Sequence, residues 1–400
     1  VTQVIHSASE RNSFSPDVEL ASPGSDGGPW SVAVGPGGGV LRSVSIGSLE
    51  LEAGGVLPSV TMAFECWGTL NAAGDNAVLI QHALTGSTHV SRGESEEDGW
   101  WEGLVGPGEV IDTTKYFVVS ANMLGGCYGT TGPSSIAEDG HPYGSRFPFV
   151  TIRDSVQAEA GLADKLGIST WHSVIGGSMG GARALEWAAT YPERVQRCAV
   201  VASCAASTAE QIAFAQAQVL AIRQDPNFAN GDYYDGAAPT TGLGLARRIA
   251  HITYRSEAEL EHRFARKAQD DGGTITHERT AANALGRYQV ESYLDHQAHK
   301  LVGRFDANSY IVISEALMSH DVSRGRGTLV EALAVTQGIE FIVAAVNSDR
   351  LYFPAQSATL AAALPGAVTV RSIDSPIGHD GFLTEVGAVG QFLREWFVKD

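Results

Sequence analysis

Cysteine is sparse in this chain, and none of it is paired in sequence: Cys66, Cys127, Cys198 and Cys204 are the four in 400 residues, and no C-x-x-C occurs. That spacing argues against a zinc site or a dithiol redox motif, and no metal ligand set is assigned. Free buried thiols in a reducing compartment are expected, which makes the cytoplasm the expected location. Basic residues are also few, with 27 Lys and Arg against 45 Asp and Glu, for a net charge of −18. A surface of that sign disfavours nucleic acid or an anionic membrane as partner. No run approaches the roughly 18 apolar residues of a membrane span. No basic segment followed by an apolar one marks a secretory leader, and no internal repeat is evident. Hydrophobic residues make up 44% and charged residues 18%, so a sizeable core is easily filled.

Glycine is abundant, with 46 residues, and the densest cluster is informative. Val174-Ile175-Gly176-Gly177-Ser178-Met179-Gly180-Gly181-Ala182 joins a short apolar run to an alanine-rich segment of helical period. Strand, tight turn and helix with Gly-x-Ser-x-Gly at the turn describe a nucleophile elbow. The serine there adopts a strained backbone, so its neighbours must be nearly free of side chains. The helix that follows places its positive end beneath the hydroxyl.

The rest of the chain fits one α/β unit with an insertion. Residues 1–40 are rich in Ser, Gly and Pro and read as a loose extension. Alternating apolar residues between Leu41 and Trp67 predict antiparallel strands. Continuous apolar runs at 77–80 and 116–120 predict strands buried on both faces, and the segments at 198–202, 340–346 and 368–370 continue the sheet pattern. A helix begins near Thr151, with Asp154 at its third position, and closes at Leu166-Gly167. After Ser203 the pattern turns helical. Ser207-Thr208-Ala209-Glu210 predicts a capping box, and Asp225-Pro226 stops the helix that follows. The division expected is an α/β core over 41–203, an inserted helical lid over 204–330 and the remaining core over 331–400. The fold class is therefore α/β, a mostly parallel central sheet with helices on both faces and a helical lid.

A serine nucleophile needs a base, and the base needs an orienting acid. In an elbow fold the order is Ser, then Asp or Glu, then His, with the last two after late strands. Asp349 follows the run at 340–346, and His379 lies between glycines 378 and 381 after the run at 368–370. Ser178, Asp349 and His379 are thus the candidate triad, with Asp374 as a fallback acid. The oxyanion needs two backbone N–H donors. Met179 follows the nucleophile, and Leu84 lies in the loop after the strand at 77–80.

Several segments resemble the homoserine O-acyltransferases of the α/β-hydrolase superfamily, first committed enzymes of methionine synthesis in many bacteria. They are His82-Ala83-Leu84-Thr85-Gly86, Gly99-Trp100-Trp101, Gly106-Pro107-Gly108, the run from Asn122 to Pro133, the elbow itself, and Gly378-His379-Asp380-Gly381-Phe382. These run from about residue 60 to the C-terminus. The resemblance implies a ping-pong reaction. Acetyl-CoA acylates Ser178, and L-homoserine takes the acetyl group. It further implies Arg247 and Tyr254 at the acceptor carboxylate, Thr85 lining the pocket, Asp380 at the ammonium, no cofactor or metal, and a homodimer through the lid helices. Read from the residues alone, Arg247 could be a surface cation, Arg248 beside it leaves the register open, and Asp380 could cap a helix. Succinyl as donor group, serine as acceptor, or an esterase or thioesterase using water remain as alternatives. A binding module without catalysis would be expected to have lost part of the triad.

Overall fold

The computed structural model describes residues 38–269 and 288–397. Apart from 38–40, the expected N-terminal extension lies outside the described residues. Eight strands make one sheet: β1 (Arg42–Glu50), β2 (Val56–Trp67), β3 (Ala77–Gln81), β4 (Phe117–Ala121), β5 (Trp171–Gly177), β6 (Arg197–Val201), β7 (Glu340–Val346) and β8 (Val370–Ile373). Their spatial order is β1-β2-β4-β3-β5-β6-β7-β8. β1, β2 and β4 pair antiparallel, and every pair from β4 to β8 is parallel.

The apolar runs explain the layers. Successive side chains of a strand face opposite ways, and here both faces are covered. Leu79, Val174, Val200 and Val343 enter one core, while Val78, Ile80, Ile175, Val201 and Ile342 enter the other. Each fully buried aliphatic side chain contributes about 1.5–3 kcal/mol. On the first face lie α1 (Ile152–Leu166), α2 (Met179–Thr190) and α9 (Pro354–Ala363), through Leu162, Leu185, Trp187 and Leu360. On the second lies α11 (Val386–Phe397), through Phe392, Leu393 and Trp396.

Between β6 and β7 the chain forms α3 (Ala209–Arg223), α4 (Thr240–Tyr254), α5 (Glu257–Arg263), α6 (Gln289–Val302), α7 (Ala307–Met318) and α8 (Leu329–Leu333). No strand of the main sheet falls in this block among the described residues.

Local signals were read to within a residue or two. Thr151 and Asp154 form both halves of the capping box expected at α1. The box expected at Ser207 and Glu210 is displaced by one, to Thr208 and Gln211. Ser207 is engaged elsewhere, donating its N–H to His320 and its hydroxyl to Leu317 at the end of α7. The strand expected at 368–370 lies at Val370–Ile373, where pairing Ile373 with Val346 brings its end level with that of β7.

Candidate active site

Ser178 sits between β5 and α2 at φ 58° and ψ −124°, the strained turn that the glycines around it permit. A Cβ on Gly176 would lie 2.1 Å from the Gly180 carbonyl oxygen, and one on Gly180 would lie 2.1 Å from that of Gln81. The end of β3, the turn and the start of α2 therefore touch backbone to backbone.

His379 Nε2 is 2.8 Å from Ser178 Oγ, and its Nδ1 is 2.6 Å from Asp349 Oδ2. The other Asp349 oxygen accepts the N–H groups of Leu351 and Tyr352 at 2.8 and 2.9 Å. Asp349 is thereby fixed, with one oxygen left for the imidazole. All three side chains are buried. Burial alone favours the neutral imidazole, but the Asp349 charge and hydrogen bond, together with Asp380, hold the His379 pKa above its ordinary value. Asp374 is not in this line; it accepts from Asn347 instead.

Met179 directly follows the serine in the chain, and Leu84 comes from the loop after β3. Leu84 and Ser178 line one cavity. Among the described residues neither the Leu84 nor the Met179 N–H donates a hydrogen bond. His82 sets the direction of the first. Its Nε2 accepts from the Met123 N–H at 3.0 Å, with the Asn122 side-chain nitrogen at 3.2 Å, so the proton belongs on Nδ1, 2.8 Å from the Ala83 carbonyl. The Gly86 N–H reaches the same carbonyl at 2.9 Å. In a trans peptide C=O and N–H point oppositely, so holding the Ala83 carbonyl orients the Leu84 N–H. Burial, with Arg183 nearby, pushes His82 down to about 3, which keeps it neutral.

The structure divides the two neighbouring arginines. Arg248 pairs with Asp295 of α6 at 2.6 Å. Arg247 turns to the site, donating to Thr85 Oγ1 at 3.2 Å and lying 5.6 Å from the Tyr254 ring centre. The Tyr254 ring is 5.9 Å from that of His379, and its carbonyl accepts the Asp380 N–H at 3.3 Å. Asp380 occupies the N-cap position of the short α10 (Gly381–Thr384) but makes no side-chain cap bond. Its carboxylate meets Arg255 at 3.3 Å. Burial raises its pKa, against the lowering influence of Arg255, His379 and Arg247. Arg247 and Asp380 do not themselves line the cavity at Ser178; Tyr254, which does, touches both.

Further residues escaped the sequence reading. Tyr352 stacks on His379, with ring centres 5.0 Å apart and 25° between planes. Burial raises its hydroxyl far above the usual tyrosine range, so it remains a donor. Its place three residues after Asp349 was the available signal. Gln211, Phe214 and Gln218 of α3 and Ser314, Leu317 and Met318 of α7 wall the cavity; nothing in their local pattern pointed to the site. Arg304 joins Thr85 and Tyr128 from the link between α6 and α7. Among the described residues no group of three or more His, Cys, Asp or Glu is placed to hold a metal, and no helix is long and apolar enough to cross a membrane.

A family model for the α/β hydrolase fold matches residues 76–386. The chain is 54% identical to the homoserine O-acetyltransferase of Thermobifida fusca (strain YX), over 88% of this chain and 92% of that one. It is 48% identical to the enzyme of that name from Nocardia farcinica (strain IFM 10152), over 90% and 93%. Among solved structures, the homoserine O-acetyltransferase from Bacillus anthracis superposes with TM-score 0.82 at 27% identity, covering 90% of this chain and 98% of that one. The esterase E22 superposes almost equally well, with TM-score 0.81 at 27% identity over 90% and 99%.

Proposed function

The chain belongs to the α/β-hydrolase fold family and, within it, to the homoserine O-acetyltransferases, and on that footing we propose that it transfers acetyl from acetyl-CoA to the hydroxyl of L-homoserine in methionine biosynthesis. Ser178 Oγ attacks the thioester carbon while His379 Nε2 takes its proton and Asp349 stabilises the imidazolium. The Leu84 and Met179 N–H groups hold the oxyanion, each worth roughly 10²–10³ in kcat. Collapse breaks the C–S bond, the imidazolium returns its proton to the sulfur, and acetyl-Ser178 remains. The homoserine hydroxyl then attacks that ester, again giving its proton to His379; collapse breaks the C–O bond to Ser178, whose oxygen takes the proton back from the imidazolium, and O-acetyl-L-homoserine leaves.

One observation carries the choice of acceptor. A cation, Arg247, lies 5.6 Å from the Tyr254 ring centre, and an anion, Asp380, directly follows His379 with its N–H on the Tyr254 carbonyl. An amino acid presents a carboxylate and an ammonium, and this pair matches them, with Thr85 and Tyr254 assisting at the carboxylate. Water needs neither charge. The acetyl enzyme must favour homoserine over water at roughly 55 M, which calls for enclosure. In our reading the helical block 204–330 is the lid that supplies it, since α3, α4 and α7 contribute to the cavity wall. No cofactor or metal enters this chemistry, and the cytoplasm is where we place it. We also read the exposed Ile212 and Leu220 of α3 and Leu245 and Ile252 of α4 as a homodimer face.

The test is CoA release from acetyl-CoA, followed with a thiol reagent, with and without L-homoserine, with succinyl-CoA and L-serine as alternatives. Release should depend on homoserine and prefer acetyl-CoA. In Arg247→Ala the homoserine KM should rise at least about tenfold, as expected for losing a charged hydrogen bond. Equal release without acceptor would identify a thioesterase instead, the reading to which the likeness to esterase E22 lends weight.

A further inference from the structure

We propose that Arg255 is a positioning residue for acceptor recognition, holding Asp380 as an oriented carboxylate that faces the acceptor's ammonium group. The proposal rests on the reading of Asp380 as the ammonium partner. Arg255 directly follows Tyr254 at the end of α4, and its Nη2 is 3.3 Å from Asp380 Oδ2. Both side chains are largely buried, at 15% and 16% exposure, so little water is left to screen the pair. The arginine is held in turn. Glu259 of α5 approaches it at 3.6 Å and is shared with Arg263 at 2.9 Å.

The backbone reinforces this joint. Ser256 donates its N–H to Ile377 at 2.9 Å and its hydroxyl to Pro376, while Asp380 donates its N–H to Tyr254. Gly378 has φ +99°, and a Cβ there would lie 2.5 Å from the Ser256 nitrogen. The end of α4 thus lies directly against the turn that carries His379 and Asp380. Tyr254, Arg255 and Ser256 bind one acceptor-recognition helix to the loop of the base.

Charge supplies the reason for an arginine at this place. An ammonium is bound by a carboxylate and poorly by a carboxylic acid. Burial works against ionisation of Asp380, and the nearby Asp349 charge works the same way, whereas Arg255, His379 and Arg247 oppose them. Tyr293 of α6 lies in the same field of Arg255 and Asp380. Arg255 is the one of these cations in an ion pair with Asp380 among the described residues. Without it the carboxyl would take up a proton at higher pH, and acceptor binding would be lost there.

The experiment uses the full chain with Arg255→Gln, Arg255→Lys and Asp380→Asn. It reads the homoserine KM against pH, and separately the first burst of CoA released from acetyl-CoA without acceptor. Arg255→Gln should raise the homoserine KM about tenfold at neutral pH and move the acid limb of kcat/KM for homoserine to higher pH by about one unit. The burst reports a folded, acylating enzyme and should stay within about twofold, a factor worth less than the smallest net hydrogen bond. Arg255→Lys, which keeps the charge, should bring the limb back. An Arg255→Gln enzyme with wild-type KM and limb, while Asp380→Asn loses homoserine saturation, would overturn the role of Arg255 alone. If Arg255→Gln loses its burst as well, or Arg255→Lys fails to restore the limb, the arginine is merely structural and the proposal falls. If Asp380→Asn keeps wild-type homoserine saturation, the ammonium site itself is misplaced and both readings fall.

Discussion

His379 is pulled two ways. Burial disfavours its cation, whereas Asp349 at 2.6 Å and the neighbouring Asp380 favour it, and the net displacement is upward. A base accepts a proton only while neutral, so a raised pKa moves the loss of activity to higher pH. The acid limb of kcat/KM for acetyl-CoA should therefore fall above the ordinary imidazole value of about 6.5. Asp349→Asn removes the main raising influence, and the limb should drop while kcat falls by about 10⁴, as when the orienting acid of a triad is neutralised. A pH–rate profile of both enzymes decides it; a wild-type limb at or below about 6.5 would contradict the balance described.

At the scale of elements, the elbow rests on a buried charge. Glu159 of α1 accepts from Arg183 and Trp187 of α2 and from Gln81 at the end of β3, with Arg183 also reaching the Ala121 carbonyl at 3.3 Å in β4. Arg183 and Glu159 are essentially inaccessible to solvent. One carboxylate thus joins the helix after Ser178 to the strand before the Leu84 loop. Glu159→Ala leaves the guanidinium buried without its counter-charge and should cost about 3–5 kcal/mol, read as a lower urea midpoint. A loss under about 1 kcal/mol would mean that the pair is dispensable. Sequence reasoning passed over Glu159 because in helical period it looks like any polar residue of α1. Only the packing of α1 on α2 shows it turned inward.

For the whole molecule, α3 has apolar residues on both sides. One side, with Phe214, lines the cavity, and the other exposes Ile212 and Leu220, while Leu245 and Ile252 are exposed on α4, which packs against α3. Large apolar side chains exposed together on one helix side mark a surface for a partner. The homodimer read here would cover the outer side and brace the cavity wall through the inner one. Ile212→Asp combined with Ile252→Asp should turn the dimer into a monomer by light scattering and lower the homoserine-dependent rate. A wild-type chain that is monomeric at micromolar concentration would refute that arrangement.

What the sequence determined by itself was local and ordered. The apolar runs at 77–80 and 116–120 specified strands buried on both faces, because burial on two sides tolerates no polar alternation. The glycines at 176 and 180 marked the elbow because backbone contacts there leave no room for a Cβ. Chain order and strand ends singled out Ser178, Asp349 and His379, and the turn geometry brings those three within hydrogen-bonding distance. Tertiary structure alone decided what depends on rotation and docking of the helical block. It chose Arg247 over Arg248 for Thr85, since adjacent residues on a helix point about 100° apart and either could have faced inward. It also placed Tyr352 on the imidazole, α3 and α7 around the serine, and Arg255 against Asp380. Those contacts join segments far apart in the chain, and no local pattern of residues encodes the angle at which one helix meets another's loop.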